Sequence, residues 1–243
     1  MEWLFAPIDP DRVHAVGTAV SWHARLMVLA WGFLAPIAVL VARFFKVVPG
    51  QDWPKTLDNQ MWWRSHWVGQ LIVVAATFIA LFLVLPSDLS VMSLHGWTGY
   101  AVICGALAQI TLGYFRGSKG GPGDLAKGGS LRGHHYDMTR RRLLFEWLHK
   151  TIGYGTVLTA VAVIILGLWK ANGPVWMWLC LGVWWSFLVV AFLWFQSRGM
   201  AIDTYQAIWG PDEQHPGNLR PKPGWGMRRL DYPKEGGAHV RDD

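Results

Sequence analysis

Polar positions in this chain fall into blocks, and between the blocks lie five runs free of Asp, Glu, Lys and Arg: Leu26 to Ala42, Trp67 to Leu85, Leu94 to Phe115, Thr151 to Trp169 and Pro174 to Phe195. Each has about the 17 to 25 residues a helix needs to cross a bilayer. Soluble core helices rarely run so long without charge, and five in succession predict an all-α integral membrane protein of five transmembrane helices.

The polar blocks predict the connections. Residues 117 to 133, GSKGGPGDLAKGGSLRG, are too rich in glycine for a packed element and read as a flexible loop. The basic, amphipathic stretch Tyr136 to Lys150 reads as an extension of the fourth helix. After Arg198 come Pro211, Pro216, Pro221, Pro223 and Pro233 with no sustained periodicity, which predicts an irregular tail on or near the membrane surface. The expected organisation is an extracytoplasmic segment over 1–22, a four-helix core over 23–170, a fifth helix over 171–197 and a proline-rich cytoplasmic tail over 198–243.

A net charge of +6 would suit a nucleic-acid partner, but the placement of the charges gives a different explanation. Counting alternate sides, one face carries Arg43, Lys46, Lys55 and Arg64, then eight basic residues from Arg116 to Lys150 and seven from Arg198 to Arg241. The other face carries Arg12, Arg25 and Lys170. The positive-inside rule makes the first face cytoplasmic, with the N-terminus outside, the C-terminus inside, and no nucleic acid implied. No basic n-region precedes the first run, and Glu2, Asp9 and Asp11 lie before it, so the N-terminus is expected to be retained. Short loops and no fused soluble domain suggest a bacterial inner membrane, with lipid as the surrounding partner.

Trp53, Trp62, Trp63 and Trp67 gather at one predicted interface and Trp169, Trp176 and Trp178 at the other, as in an aromatic belt. Trp184 and Trp185 fall in the middle of the fifth run, which holds no histidine and is bulky all round. That helix is expected to be peripheral, facing lipid or a partner subunit. Cys104 and Cys180 lie inside spans with no CxxC spacing, which argues against a disulfide framework, a zinc site or covalently attached haem.

Four of the nine histidines, His23, His66, His95 and His149, lie about a turn from the start of the first four runs, one per helix. Consecutive helices run in opposite directions, so His23 and His95 share the outer face while His66 and His149 share the cytoplasmic one. A lone histidine there would be a packing residue, but four at matched depth form two pairs. Two imidazoles facing each other across a bundle are what the axial ligation of a haem iron requires. Gly99 and Gly153 each follow a histidine by four positions, one turn deeper on the same helix face, where the missing side chain would let a flat macrocycle approach. His14, His134, His135, His215 and His239 lie in loops or tails and carry no such expectation.

These motifs resemble the cytochrome b561 family. The matching pieces are His23-Ala24-Arg25-Leu26-Met27 with Ala30-Trp31 and Pro36, Ala42-Arg43-Phe44-Phe45-Lys46, His66 with Gln70, His95 with Gly99, Gln109 and Arg116, and His149 with Gly153 and Gly167. The resemblance covers about residues 20 to 170 and implies a four-helix core with two non-covalent haem b groups, held by His23 with His95 and by His66 with His149. It also implies transmembrane electron transfer from a cytoplasmic reductant such as ascorbate to an acceptor such as ferric iron. Arg25, the added fifth helix and the proline-rich tail depart from the family pattern.

The expected function is therefore a transmembrane electron-transfer oxidoreductase, with Arg43, Lys46, Arg116 and Lys150 placed to pair with haem propionates or steer an anionic donor. Two other readings stay open. One is a haem-bearing or accessory subunit of a larger respiratory or photosynthetic complex, docked through the fifth helix and tail; the other is a cytochrome b anchor exchanging electrons with quinone or a redox protein. No span holds a charge near its centre, which argues against a transporter or channel.

Overall fold

The computed structural model describes residues 2–85, 93–116, 140–215, 217–220 and 224–230. The glycine-rich segment 117–133 and His134, His135, Pro216, Pro221, Pro223, Pro233 and His239 lie outside the described residues. Five helices are long and apolar enough to cross a membrane: α1 (Thr18–Phe44), α2 (Met61–Phe82), α3 (Leu94–Phe115), α4 (Arg140–Lys170) and α5 (Val175–Ser197). A short helix α6 (Thr204–Trp209) follows. The described residues hold no named strand, so the chain is all-α, with five helices that fit a multi-pass membrane protein.

Neighbouring helices approach closely where side chains are small, as expected when packing rather than water drives association. A Cβ added at Gly69 in α2 would lie 3.1 Å from the Ala38 Cβ of α1. One added at Gly105 in α3 would collide with Thr156 of α4. The core between the helices is built from Trp31 and Ala35 of α1, Val73 of α2, Val102 and Ala106 of α3, and Ala160 and Val163 of α4. Within it Trp31 Nε1 donates to Thr77 Oγ1 at 2.9 Å, and Thr77 donates in turn to Val73 O at 2.7 Å.

α1 changes its winding midway, from α-helix over Thr18–Met27 to π-helix over Val28–Leu34 and back over Ala35–Phe44. Pro36 enters the returning α-helix and has no N–H to give the Gly32 carbonyl one turn back. The Trp184 indole Nε1 of α5 donates to that carbonyl at 2.8 Å, and the Trp184 ring stacks on Phe33 with centroids 4.7 Å apart. In hydrocarbon a neighbouring helix is the available source of such a donor. This accounts for a tryptophan at mid-span. α5 is peripheral, with Val183, Phe187, Val190 and Leu193 exposed, yet it is tied to the core by this bond.

The segment after Arg198 is more ordered than its proline content predicts. Residues 201 to 209 are buried, α6 included. Asp203 caps α6 through the Tyr205 amide at 3.1 Å and pairs with Arg229 at 2.6 Å. Arg229 also donates to the Gly217, Asn218 and Arg220 carbonyls. The tail therefore closes on itself through polar contacts, which apolar content does not register. At the opposite end of the bundle Asn172, in the turn between α4 and α5, binds the Asp9 amide at 3.0 Å and the Asp9 carbonyl at 2.9 Å, holding the N-terminal segment.

Trp184→Phe leaves the Gly32 carbonyl without its donor and should cost about 1–2 kcal/mol of stability. Adding Pro36→Ala, which restores an N–H one turn away, should recover much of that loss. Thermal unfolding of both variants in detergent checks this, and strictly additive losses would contradict it.

Candidate functional site

The helix directions bring the four span histidines together in two pairs, one at each end of the bundle. His23 of α1 faces His95 of α3 with ring centroids 6.2 Å apart and planes at 80°. His66 of α2 faces His149 of α4 at 6.0 Å and 78°. Imidazoles that bind one metal from opposite sides, each with its nitrogen about 2 Å from the ion, hold their centroids roughly 6 Å apart. The separation therefore fits a shared metal between the rings and is too long for a direct hydrogen bond.

The other ring nitrogens are engaged where a ligating histidine needs them to be, on backbone carbonyls of a neighbouring helix. His23 Nδ1 meets Ala80 O at 2.9 Å, His66 Nδ1 meets Ala38 O at 3.1 Å, and His95 Nδ1 meets Val163 O at 3.0 Å. These bonds occupy Nδ1 and leave Nε2 as the nitrogen available to a ligand between the rings. His149 Nδ1 is buried without a hydrogen-bond partner. Among the described residues no group of three or more His, Cys, Asp or Glu side chains gathers, so the histidine pairs stand as pairs.

The glycines divide. No described atom lies within 4 Å of a Cβ built on Gly99, which leaves space one turn from His95. Gly153 faces the Gln109 amide instead, at 3.6 Å from Nε2. Gly167 packs against the His95 ring, where an added Cβ would lie 2.9 Å from Cε1. His14 and His215 lie away from both pairs, His14 on the Ala171 carbonyl and His215 beside Trp209.

Around the His66/His149 end a buried carboxylate meets two cations. Glu146, one turn before His149, accepts from Arg142 Nε at 3.2 Å and Lys150 Nζ at 3.0 Å, both four residues away on α4. The structure engages Arg43 inside the protein: it donates to Tyr154 Oη at 3.2 Å, Gln196 Oε1 at 2.8 Å and Trp225 O at 3.1 Å. Gly226, at φ +67°, lets the tail backbone pass this cluster, where a side chain would crowd Arg43 and Gln196. Arg116 lies over the Trp63 ring at 5.5 Å. Lys46 is buried and donates to Ile202 O at 2.9 Å. The sequence reading missed the Glu146 ion pairs, whose signal was a single carboxylate within the basic stretch, and it held Gln109 only as a motif residue, with no contact assigned.

The fold and the histidine geometry define a helical multi-pass membrane protein with two inter-helix imidazole pairs, one near each face. Residues 22–119 match the family model of eukaryotic cytochrome b561, so this stretch is cytochrome b561-like, as its motifs suggested. A cytochrome b561, DM13 and DOMON domain-containing protein of Arabidopsis thaliana is 28% identical over 210 residues, 80% of this chain and 20% of that protein. Ferric-chelate reductase 1 of Bos taurus is 30% identical over 150 residues, 60% of this chain and 22% of its own length. The Homo sapiens ferric-chelate reductase 1 is 29% identical over 151 residues, again 60% of this chain and 22% of its own length. The chain thus spans about a fifth of the length of these relatives. No solved structure matches it.

Burial, and after it the neighbouring Lys150, pushes the Lys46 ammonium down to about 7, while Glu146 and Asp203 hold it up and Arg43 adds to the depression. An unfolded lysine titrates near 10, so between about pH 7 and 10 the unfolded chain binds the extra proton and stability rises with pH. The stability of Lys46→Met relative to wild type should therefore be most favourable near pH 7 and fall toward pH 10. Melting temperatures of the two proteins across that range check this; a constant difference would contradict it.

Proposed function

We propose that this chain carries electrons across a membrane through two b-type haems, one held by His23 and His95 and the other by His66 and His149. The observation that carries the reading is the pair of opposed imidazoles at each end of the bundle, at 6.2 and 6.0 Å. Bound there, haem iron supplies one-electron exchange between its ferric and ferrous states. His23 with His95, and His66 with His149, would each hold one haem, which would supply outer-sphere electron transfer. The Nδ1–carbonyl bonds of His23, His66 and His95 fix ring orientation and strengthen these imidazoles as donors. Gly99 gives a flat ring access to the backbone at the His95 site, whereas the space at Gly153 is taken by the Gln109 amide.

On this reading Arg116 and Lys150, at the His66/His149 end, balance propionate charge or steer an anionic reductant such as ascorbate. Arg43 holds the tail beside that site through its bonds to Gln196 and the Trp225 carbonyl. The basic excess makes that end cytoplasmic in a bacterial inner membrane, with electrons leaving at the His23/His95 end. The ferric-chelate reductases among the relatives support a ferric complex as acceptor, and the reaction is then reduction of that acceptor by one electron per turnover.

His95→Ala removes one ligand from one pair and none from the other. The variant should lose about half of the haem bound per chain, measured as pyridine haemochrome against protein, and keep a six-coordinate spectrum for the remainder. Loss of all haem, or of none, would contradict the pairing.

A further inference from the structure

The histidine hydrogen bonds follow a rule that repeats along the chain. His23 binds the carbonyl fourteen residues after His66, at Ala80. His66 binds the carbonyl fifteen residues after His23, at Ala38. His95 binds the carbonyl fourteen residues after His149, at Val163. The α1–α2 pair and the α3–α4 pair are thus built alike, and the fourth bond should run from His149 to α3, fourteen or fifteen residues after His95. That position is Gln109 or Ile110, and no such bond forms: His149 Nδ1 is buried and unpartnered.

A second contact is absent in the same place. Gly167, four residues after Val163, packs against the His95 ring, while its counterpart Gly113, four after Gln109, has no described atom within 4 Å of an added Cβ. His149 is therefore the one histidine of the four that the backbone of the facing helix does not grip. What reaches it instead is the side chain at the expected position: Gln109 Nε2 donates to the His149 carbonyl oxygen at 3.1 Å. Gly153 leaves room for that amide, and Phe145, one turn before, stacks on the His149 ring with centroids 5.1 Å apart.

We propose that Gln109 is the positioning residue of the His66/His149 site, fixing the His149 turn of α4 against α3 in place of the imidazole–carbonyl bond that the other three histidines make. The inference rests on the haem reading above. Gln109 touches no reacting atom on this account; it acts through the backbone of a ligand. Partners that orient a ligating histidine through its ring are worth about 10- to 100-fold in affinity for the bound group, and Gln109 is placed to orient His149 through its backbone instead.

The test uses the full chain with His95→Ala as background, so that the haem between His66 and His149 is followed alone. Gln109→Leu and the isosteric Gln109→Glu both remove the donor to the His149 carbonyl, and Glu keeps the size and polarity if Leu does not fold. Each should release haem to apomyoglobin about tenfold faster or more and shift the largest g-value of the low-spin ferric signal, a property of ligand orientation that general loosening of the fold would not set. Wild-type release and an unchanged g-value in either folded variant would overturn the inference while leaving the haem reading intact. A wild-type chain that carries no haem would overturn both.

Discussion

In hydrocarbon a polar atom without a protein partner has no water to turn to, and each helix of this bundle is placed by the need to supply one. The Gly32 carbonyl, deprived of a donor by Pro36, takes one from Trp184, and this fixes α5 against α1 at mid-depth. The Trp31 indole finds Thr77 and ties α1 to α2. The Nδ1 atoms of His23, His66 and His95 find carbonyls on a neighbouring helix, so the bonds that lock the bundle are also the bonds that aim the histidines. Packing and site geometry are one set of contacts.

That coupling explains why the proposed sites sit where they do. A histidine near the start of one helix meets the far end of its antiparallel neighbour, so the repeat of helix and histidine generates one pair near each membrane face. A long polar ladder through the middle is unnecessary, and the centre fills with Ala35, Val73, Val102 and Ala160. Outside the apolar core the same constraint governs charges: Glu146 lies between Arg142 and Lys150, and Asp203 binds Arg229. Among the described residues both buried carboxylates, Glu146 and Asp203, meet a cation directly, as the cost of an unpaired buried charge demands.

The helices were legible in the sequence because crossing a bilayer is a matter of length and missing charge, and the histidine pairing followed from alternating helix direction. The extent of α1 was not, since it begins at Thr18, well before the apolar run that Arg25 interrupts. Nor was the burial of 201–209, which rests on single polar contacts such as Lys46 to the Ile202 carbonyl that leave no periodic trace. Gly99 was read for its space and Gly153 for the same, yet one faces a gap and the other Gln109. Which face of a helix meets a groove depends on helix rotation, and four-residue spacing alone does not set it. Trp184 was legible as unusual but not as a donor, because its acceptor is exposed by a proline about 150 residues away.

The central claim is that each imidazole pair holds one haem. Its most direct test is the haem content of the purified full-length chain by pyridine haemochrome, with the reduced-minus-oxidised spectrum taken on the same sample. About two haem b per chain with six-coordinate low-spin spectra is the result expected from two bis-histidine sites. A folded, monodisperse protein that carries none, even after reconstitution with hemin, would contradict the account.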